Sequence, residues 1–489
     1  MDMFEDEERA RGAYAYDGGG YPPAPPKRRV STRVTAVIVA VIVVCLVIGA
    51  LLLGINIGSS GSLEEKAPFA QTVLDLIDRY YYEDIDWETF QYSLAEAIAS
   101  GVDPYTGLIE LSPVNASSAQ FGVTISSNAY NEHFIDRVQQ GSPAATAVPD
   151  RVVDVRKNVP YDDPSSAEKI LGGAGLRRGD MIYGIKTEGQ DGYVRVQNAS
   201  ASVLSSYVSA GDTAEFMVYR YGYESGERTL EYVIWFTLTK ELLHTDTAFY
   251  VDGDDIGLGA DHGYIYLAEF GDTSVDDFAA AAQAFIDDPS APTKLILDLR
   301  GNGGGGSDIL GFIASYFVKG ADGGSSDRVP LARYVYNTGA GDGEAWFYSQ
   351  TSIESAKDPS SILRSFNFYD EREGFECVVL TDGGTASSAE LLSWALDFYS
   401  ENGVPTVGGT TYGKGVAQTV FTLENGKYEL LITNGRYYLP VRDGSEVTWT
   451  TSIHNVGISP ADGNAIRATE VRDYGFDECI LRAAELMAD

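Results

Sequence analysis

The chain has 489 residues, a formal net charge of −36 and 53 glycines. That length exceeds one hydrophobic core, so two to four domains are expected. The acidic excess excludes general nucleic-acid binding and disfavours adhesion to anionic lipid headgroups. Only four histidines and three cysteines are present, with no metal-ligand spacing among them, so neither a metal site nor a cofactor is expected.

Residues 1–33 are low in complexity (EDEE, GGG, YPPAPP) and read as a disordered cytoplasmic tail. From Val34 to Ile55 no charged residue occurs. At 1.5 Å per residue this run spans about 33 Å, enough for one transmembrane helix. Lys27, Arg28, Arg29 and Arg33 precede it, and no comparable cluster follows. The positive-inside rule puts the tail in the cytoplasm and the rest outside, on the cell membrane as a single-pass protein. Cys45 falls in this segment, leaving Cys377 and Cys479 as the only candidates for a pair.

Residues 60–116 read as an N-terminal helical region. Phe69, Val73, Leu74, Ile77, Tyr80 and Tyr81 form one stripe, and a second helix from Trp87 to Ser100 stops at Gly101. The turn Asp103-Pro104-Tyr105-Thr106 follows.

Residues 117–240 alternate in the manner of a small β-rich domain, with strands at Phe134–Val138, Ala214–Tyr221 and Leu230–Leu238. The wording Gly141-Ser142-Pro143-Ala144, then Ala174-Gly175-Leu176 and Gly179-Asp180-Met181-Ile182, resembles a PDZ domain. Such domains bind the C-termini of partners by adding a strand to a sheet edge. The resemblance makes Phe121, Gly122 and Val123 the substrate-binding loop. Two departures are the long insert from Val148 to Gly173 and a loop with only one glycine.

From 241 to 489 the pattern becomes α/β. Lys294–Leu299 is a continuous apolar strand of the buried kind, opening into Arg300-Gly301-Asn302-Gly303-Gly304-Gly305-Gly306 and a helix near Ser307. The loop lacks a P-loop lysine and the G-x-G-x-x-G spacing, which argues against a nucleotide. Amides aimed at a reacting oxygen are the better reading. A second strand, Cys377–Leu380, leads through Gly384-Thr385-Ala386-Ser387 into a helix over Ala389–Tyr399. Taken alone, this turn also reads as a helix cap, with Glu390 completing a capping box.

Several separated stretches together resemble the C-terminal-processing (tail-specific) serine peptidases over roughly residues 65–465. These are Asp103-Pro104-Tyr105-Thr106, the PDZ-like unit, Asp298-Leu299-Arg300-Gly301-Asn302, Gly384-Thr385-Ala386-Ser387, Tyr412-Gly413-Lys414-Gly415 with Gln418, and Ile453–Pro460. The resemblance implies an α/β protease core with an inserted β-rich PDZ-like domain, to which the sequence pattern adds an N-terminal helical segment and a single transmembrane helix. It also implies Ser387 as nucleophile, Lys414 as general base and Gln418 as the residue orienting it. The amides of Ser388 and Gly304 would be the oxyanion donors. Partners would be protein or peptide substrates with free C-termini, and assembly into homo-oligomers stays open. Gly303 replaces the family's proline, Ser388-Ala389 inverts the usual order and makes Ser388 a second candidate hydroxyl, and the Ser387–Lys414 segment is slightly long. Two rivals remain: a Ser-His hydrolase using His454, with His262 the weaker base, and an anchored PDZ scaffold with an inactive protease body.

Overall fold

A computed structural model describes residues 86–110, 118–197, 199–209, 211–224, 227–319, 328–337, 342–423, 427–468 and 470–488, with scattered helical residues between 70 and 78. The apolar segment 34–55 and half of the stripe, Phe69, Tyr80 and Tyr81, lie outside the described residues. Among those described, no helix is long and apolar enough to cross a membrane.

The chain divides into two compact units. The smaller joins residues up to Val114 with Ala417–Gly435. Its helix Trp87–Ser100 ends where Gly101 was expected to stop it. The strand Gly107–Glu110 then pairs antiparallel with Tyr428–Leu431. The intervening turn is held by Asp103, whose Oδ1 accepts the amides of Tyr105 and Thr106 at 2.7 Å each.

The larger unit holds both the β-rich domain and the α/β core. In the β-rich domain the long hairpin Thr213–Glu224 and Glu227–Thr239 supplies the middle of the sheet. Val123–Ser127 lies at the end of the strand order. Ile135, Ile182, Phe216, Val218, Ile234 and Phe236 form its fully buried interior. The two sequence motifs of this domain interlock, because Leu176 N–H donates to the Ala144 carbonyl at 2.9 Å. Asp180, expected at a turn into a buried strand, is itself buried and grips the Arg220 guanidinium at 2.7 Å on both oxygens.

The core is a five-stranded sheet in the order Ala248–Asp252, His262–Leu267, Lys294–Asp298, Glu376–Thr381, Thr406–Gly408. The first pair is antiparallel and the remaining pairs parallel. Lys294–Asp298 sits between two parallel neighbours in a sheet covered on both faces, which is why its sequence is nearly continuously apolar. On one face Ile296, Val378 and Leu380 pack with Cys479, Ile480 and Ala483 of the helix Glu478–Leu486. On the other, Gly263 lies so close to Phe285 of the helix Ser274–Asp287 that a Cβ there would meet the ring at 2.7 Å. Cys377 and Cys479, the candidate pair, are both buried free thiols. Burial pushes the Cys479 thiol up to about 12.

Candidate active site

In open α/β sheets, ligands bind beyond the carboxyl ends of the parallel strands. Three loops leave those ends here: residues 299–306 after Lys294–Asp298, residues 382–387 after Glu376–Thr381, and residues 409–415 after Thr406–Gly408. They carry the motifs singled out in the sequence, and buried polar side chains knit them together.

Asp382 Oδ1 accepts the amides of Gly301 and Gly384, each at 2.9 Å, tying the first loop to the second. Asn302, fully buried, takes the Ala386 N–H on its carbonyl at 2.8 Å and donates from its side chain to the Leu267 carbonyl at 2.9 Å. The second loop meets the third where Tyr412 N–H donates to the Thr385 carbonyl at 2.9 Å.

Ser387 stands at the junction of this second loop with the helix Ser388–Tyr399. Its backbone has φ 55° and ψ −120°, a left-handed setting that a non-glycine residue rarely adopts. Such strain runs to about 1–3 kcal/mol and persists only where the surroundings impose it. Here they do. Gly304 is packed so tightly beneath the serine that a Cβ on it would lie 2.7 Å from Ser387 Cβ and 2.8 Å from the Ala386 carbonyl oxygen. This sharp strand-to-helix turn, serine at its apex, is the geometry of a nucleophile elbow.

Glu390 was visible in the sequence only as a capping partner, and that half of the box is present: Oε2 accepts the Ser387 N–H at 2.8 Å. The same oxygen also accepts the Lys414 N–H at 2.8 Å, while Oε1 takes Gly413 N–H at 2.8 Å and the Thr411 hydroxyl at 2.5 Å. One fully buried carboxyl therefore fastens the lysine loop to the serine turn.

The glycines around Lys414 serve a purpose beyond freeing the lysine. A Cβ on Gly413 would come within 2.9 Å of the amides of Val456 and Gly457, and one on Gly415 within 2.6 Å of the His454 amide. The Ile453–Pro460 stretch thus lies directly against the lysine loop, which brings His454 to this end of the sheet. Tyr412 points outward, 53% exposed, while Val416 is buried. Tyr437 N–H donates to the Gly415 carbonyl at 3.1 Å. Its phenol is held well above the ordinary range by burial and the neighbouring Tyr334, with the Ser387 hydroxyl nearby pulling the other way.

Other expected residues have these partners. Gly304 N–H, expected to aim at an oxyanion, donates to Asn302 Oδ1 at 2.8 Å. Ser388, the second candidate hydroxyl, donates to the Gly305 carbonyl at 2.8 Å, so its side chain braces the glycine loop. Its own amide is the first of the helix, where backbone donors have no intrahelical partner. Gln418 belongs to the smaller unit, where its Nε2 donates to the Tyr105 carbonyl at 2.8 Å. In the β-rich domain Phe121 is buried against Phe216 and Gly122 is buried too, so tightly that a Cβ on it would lie 2.1 Å from Ser142 Cβ, which leaves half-buried Val123, at the start of the edge strand, as the accessible part of that loop. Among the described residues one trio, His244, Asp246 and Asp277, could reach a common metal ion. Lys357 Nζ lies 2.6 Å from Asp277 and already supplies positive charge there.

With this geometry in hand, comparison with known proteins is decisive for the core. Residues 261–460 match the model of Peptidase family S41. That segment belongs to peptidase family S41. The chain is 28% identical over 331 residues to a chloroplastic C-terminal processing peptidase of Tetradesmus obliquus, covering 63% of this chain and 59% of the relative. It is 23% identical over 393 residues to the carboxy-terminal processing protease CtpB of Bacillus subtilis, covering 79% of this chain and 65% of the relative. The chain thus spans less than two thirds of the length of either relative. A solved S41 protease structure from Bacteroides fragilis shares the fold, with a TM-score of 0.50 at 18% identity over 83% of this chain and 91% of that one.

Proposed function

We propose that the chain is a serine endopeptidase that cleaves protein substrates near their C-termini, using Ser387 and Lys414. The observation that carries this reading is the left-handed Ser387 at the mouth of its helix, joined through Glu390 to the loop that bears Lys414. In this reading neutral Lys414 takes the Ser387 proton as the hydroxyl attacks the scissile carbonyl. The Ser388 amide, at the positive end of the helix, stabilises the oxyanion. Collapse expels the amine, which takes the proton from Lys414, and water then hydrolyses the acyl-enzyme. No metal or cofactor enters any of these steps.

This substrate class is supported by the relatives, both named as C-terminal processing enzymes. It is also supported by the edge strand Val123–Ser127, which suits PDZ-like capture of a peptide terminus. The uncharged run 34–55 and the arginines before it support a single-pass anchor with the catalytic part outside the cytoplasm. To test the activity, the full chain in detergent is incubated with one unstructured peptide bearing a free C-terminal carboxylate and with its amidated twin. Cleavage of the free form, lost in Ser387→Ala and Lys414→Ala, supports the reading. Cleavage at the wild-type rate by Ser387→Ala would sink it.

A further inference from the structure

Between the β-rich domain and the core sheet runs a short segment, Glu470–Asp477, and buried charges converge on its last residue. Asp477 Oδ2 lies 3.1 Å from Arg178 of the β-rich domain and 2.9 Å from Arg300 of the core. Its other oxygen caps the C-terminal helix through the amides of Cys479 and Ile480. Arg178 also donates to the Arg472 carbonyl and stacks over Tyr474 with 5.1 Å to the ring centroid, while Asp136 lies 3.7 Å away. Arg300, for its part, grips Asp298 through Nε at 2.9 and 3.0 Å, and Tyr264 donates to Asp298 at 2.7 Å. The side chains of Arg178 and Asp477 are 8% and 6% exposed, so this lattice is almost closed to water.

Arg300 is also the residue from which the glycine loop 301–306 starts. The next amide, that of Gly301, donates to Asp382 in the serine turn at 2.9 Å. A small displacement of Arg300 therefore reaches the groups around Ser387 through one peptide unit and one hydrogen bond. Two arginines and two aspartates, Arg178, Arg300, Asp298 and Asp477, balance one another in the interior. Removing one cation leaves the remaining one shared between two carboxylates, a buried imbalance that the structure must relieve by moving.

We propose that Arg178 is a positioning residue for peptide hydrolysis: acting through Asp477, it fixes Arg300 and hence the loop beside Ser387. This rests on the reading of Ser387 as the nucleophile. The seating of the β-rich domain is thereby written into the geometry of the glycine loop. A second clasp provides the control, since Arg228 joins Glu132 at 2.9 Å and Glu470 at 2.8 Å without touching Arg300.

The test uses the full chain, one unstructured peptide and steady-state kinetics. Arg178→Gln should lower kcat about tenfold or more with KM held within about twofold, the pattern of an interaction felt in the transition state. Arg178→Lys should recover most of the loss. Asp477→Asn, which keeps the helix cap, should match Arg178→Gln, and the double variant should fall no further than either alone, because coupled residues are not additive. Arg228→Gln should stay within about twofold of wild type. If Arg178→Gln fails to fold, Arg178→Lys and Asp477→Asn carry the comparison, and wild-type kcat in both overturns the proposal. Wild-type kcat in Arg178→Gln, or equal slowing of Arg178→Gln and Arg228→Gln, also overturns it while leaving Ser387 in place. A wild-type chain no faster than Ser387→Ala removes the underlying reading instead.

Discussion

The backbone amides of Ser387 and Lys414 end on the same atom, Oε2 of Glu390, each at 2.8 Å. The serine turn and the lysine loop come from different strand ends, and this one oxygen sets the spacing between them. Glu390→Ala would leave four donors in the interior without an acceptor, at about 1–3 kcal/mol for each group stranded. The variant should lose several kcal/mol in urea denaturation and show no measurable turnover. Glu390→Gln, with a single acceptor oxygen, should fall between it and wild type in both measurements.

Ser387 and Ser388 are separable by experiment. If Ser387 is the nucleophile, Ser387→Ala should reduce kcat by about a thousandfold or more, as nucleophile removal does in serine peptidases, while the urea midpoint stays near wild type. Ser388→Ala removes one hydrogen bond to the Gly305 carbonyl, worth about 1 kcal/mol. It should remain active. Inactive Ser388→Ala beside active Ser387→Ala would exchange the two roles.

Gly304→Ala should be inactive and less stable by about 1–3 kcal/mol, judged from urea midpoints. The new methyl would meet Ser387 Cβ at 2.7 Å, and the backbone at this position has φ 94°. Wild-type activity in this variant would mean that the glycine loop has room the structure does not show.

If Lys414 is the base, turnover should rise with pH as its ammonium loses a proton, and Lys414→Arg should be inactive because arginine stays charged. An active Lys414→Arg would direct attention to His454, which packs against Gly415, and His454→Ala becomes the deciding variant.

Acid sensitivity should trace to Asp477. Burial opposes its charge, yet Arg300 and Arg178 outweigh burial and hold the carboxyl well below its ordinary 3.8. A lowered carboxyl contributes stability above its ordinary pKa and loses it as pH falls through the lowered value. Stability measured by urea should therefore decline below about pH 4. Asp477→Asn has no such proton to gain and should give a flatter acid limb from a lower starting point.

The parts of the site that were legible are those written in local pattern. Lys294–Leu299 announced a buried parallel strand because both its faces are covered, and the strand–turn–helix around Ser387 is contiguous in the chain. Glu390 was legible only as a cap, since its bonds to Thr411, Gly413 and Lys414 span more than twenty residues and leave no periodic trace. The amide of Gly304 was expected as an oxyanion donor from the family resemblance, whereas the side chain that takes it, Asn302, is two residues away in the same motif. The segment Glu470–Asp477 carries no hydrophobic pattern at all. Its meaning lies in Arg178 and Arg300, each more than a hundred residues upstream, so only the folded arrangement reveals it.

The parallel pairing of Lys294–Asp298 with Glu376–Thr381 also orders events in time. Parallel strands joined by a long excursion close late, since chain entropy must be surrendered before the contacts form. Until they do, nothing holds Ser387 at φ 55°, and an unsupported serine relaxes to an ordinary backbone setting. A nascent or half-folded chain therefore contains the hydroxyl and the lysine but no elbow. If Ser387 is the nucleophile, peptide cleavage depends on this strand pairing having closed.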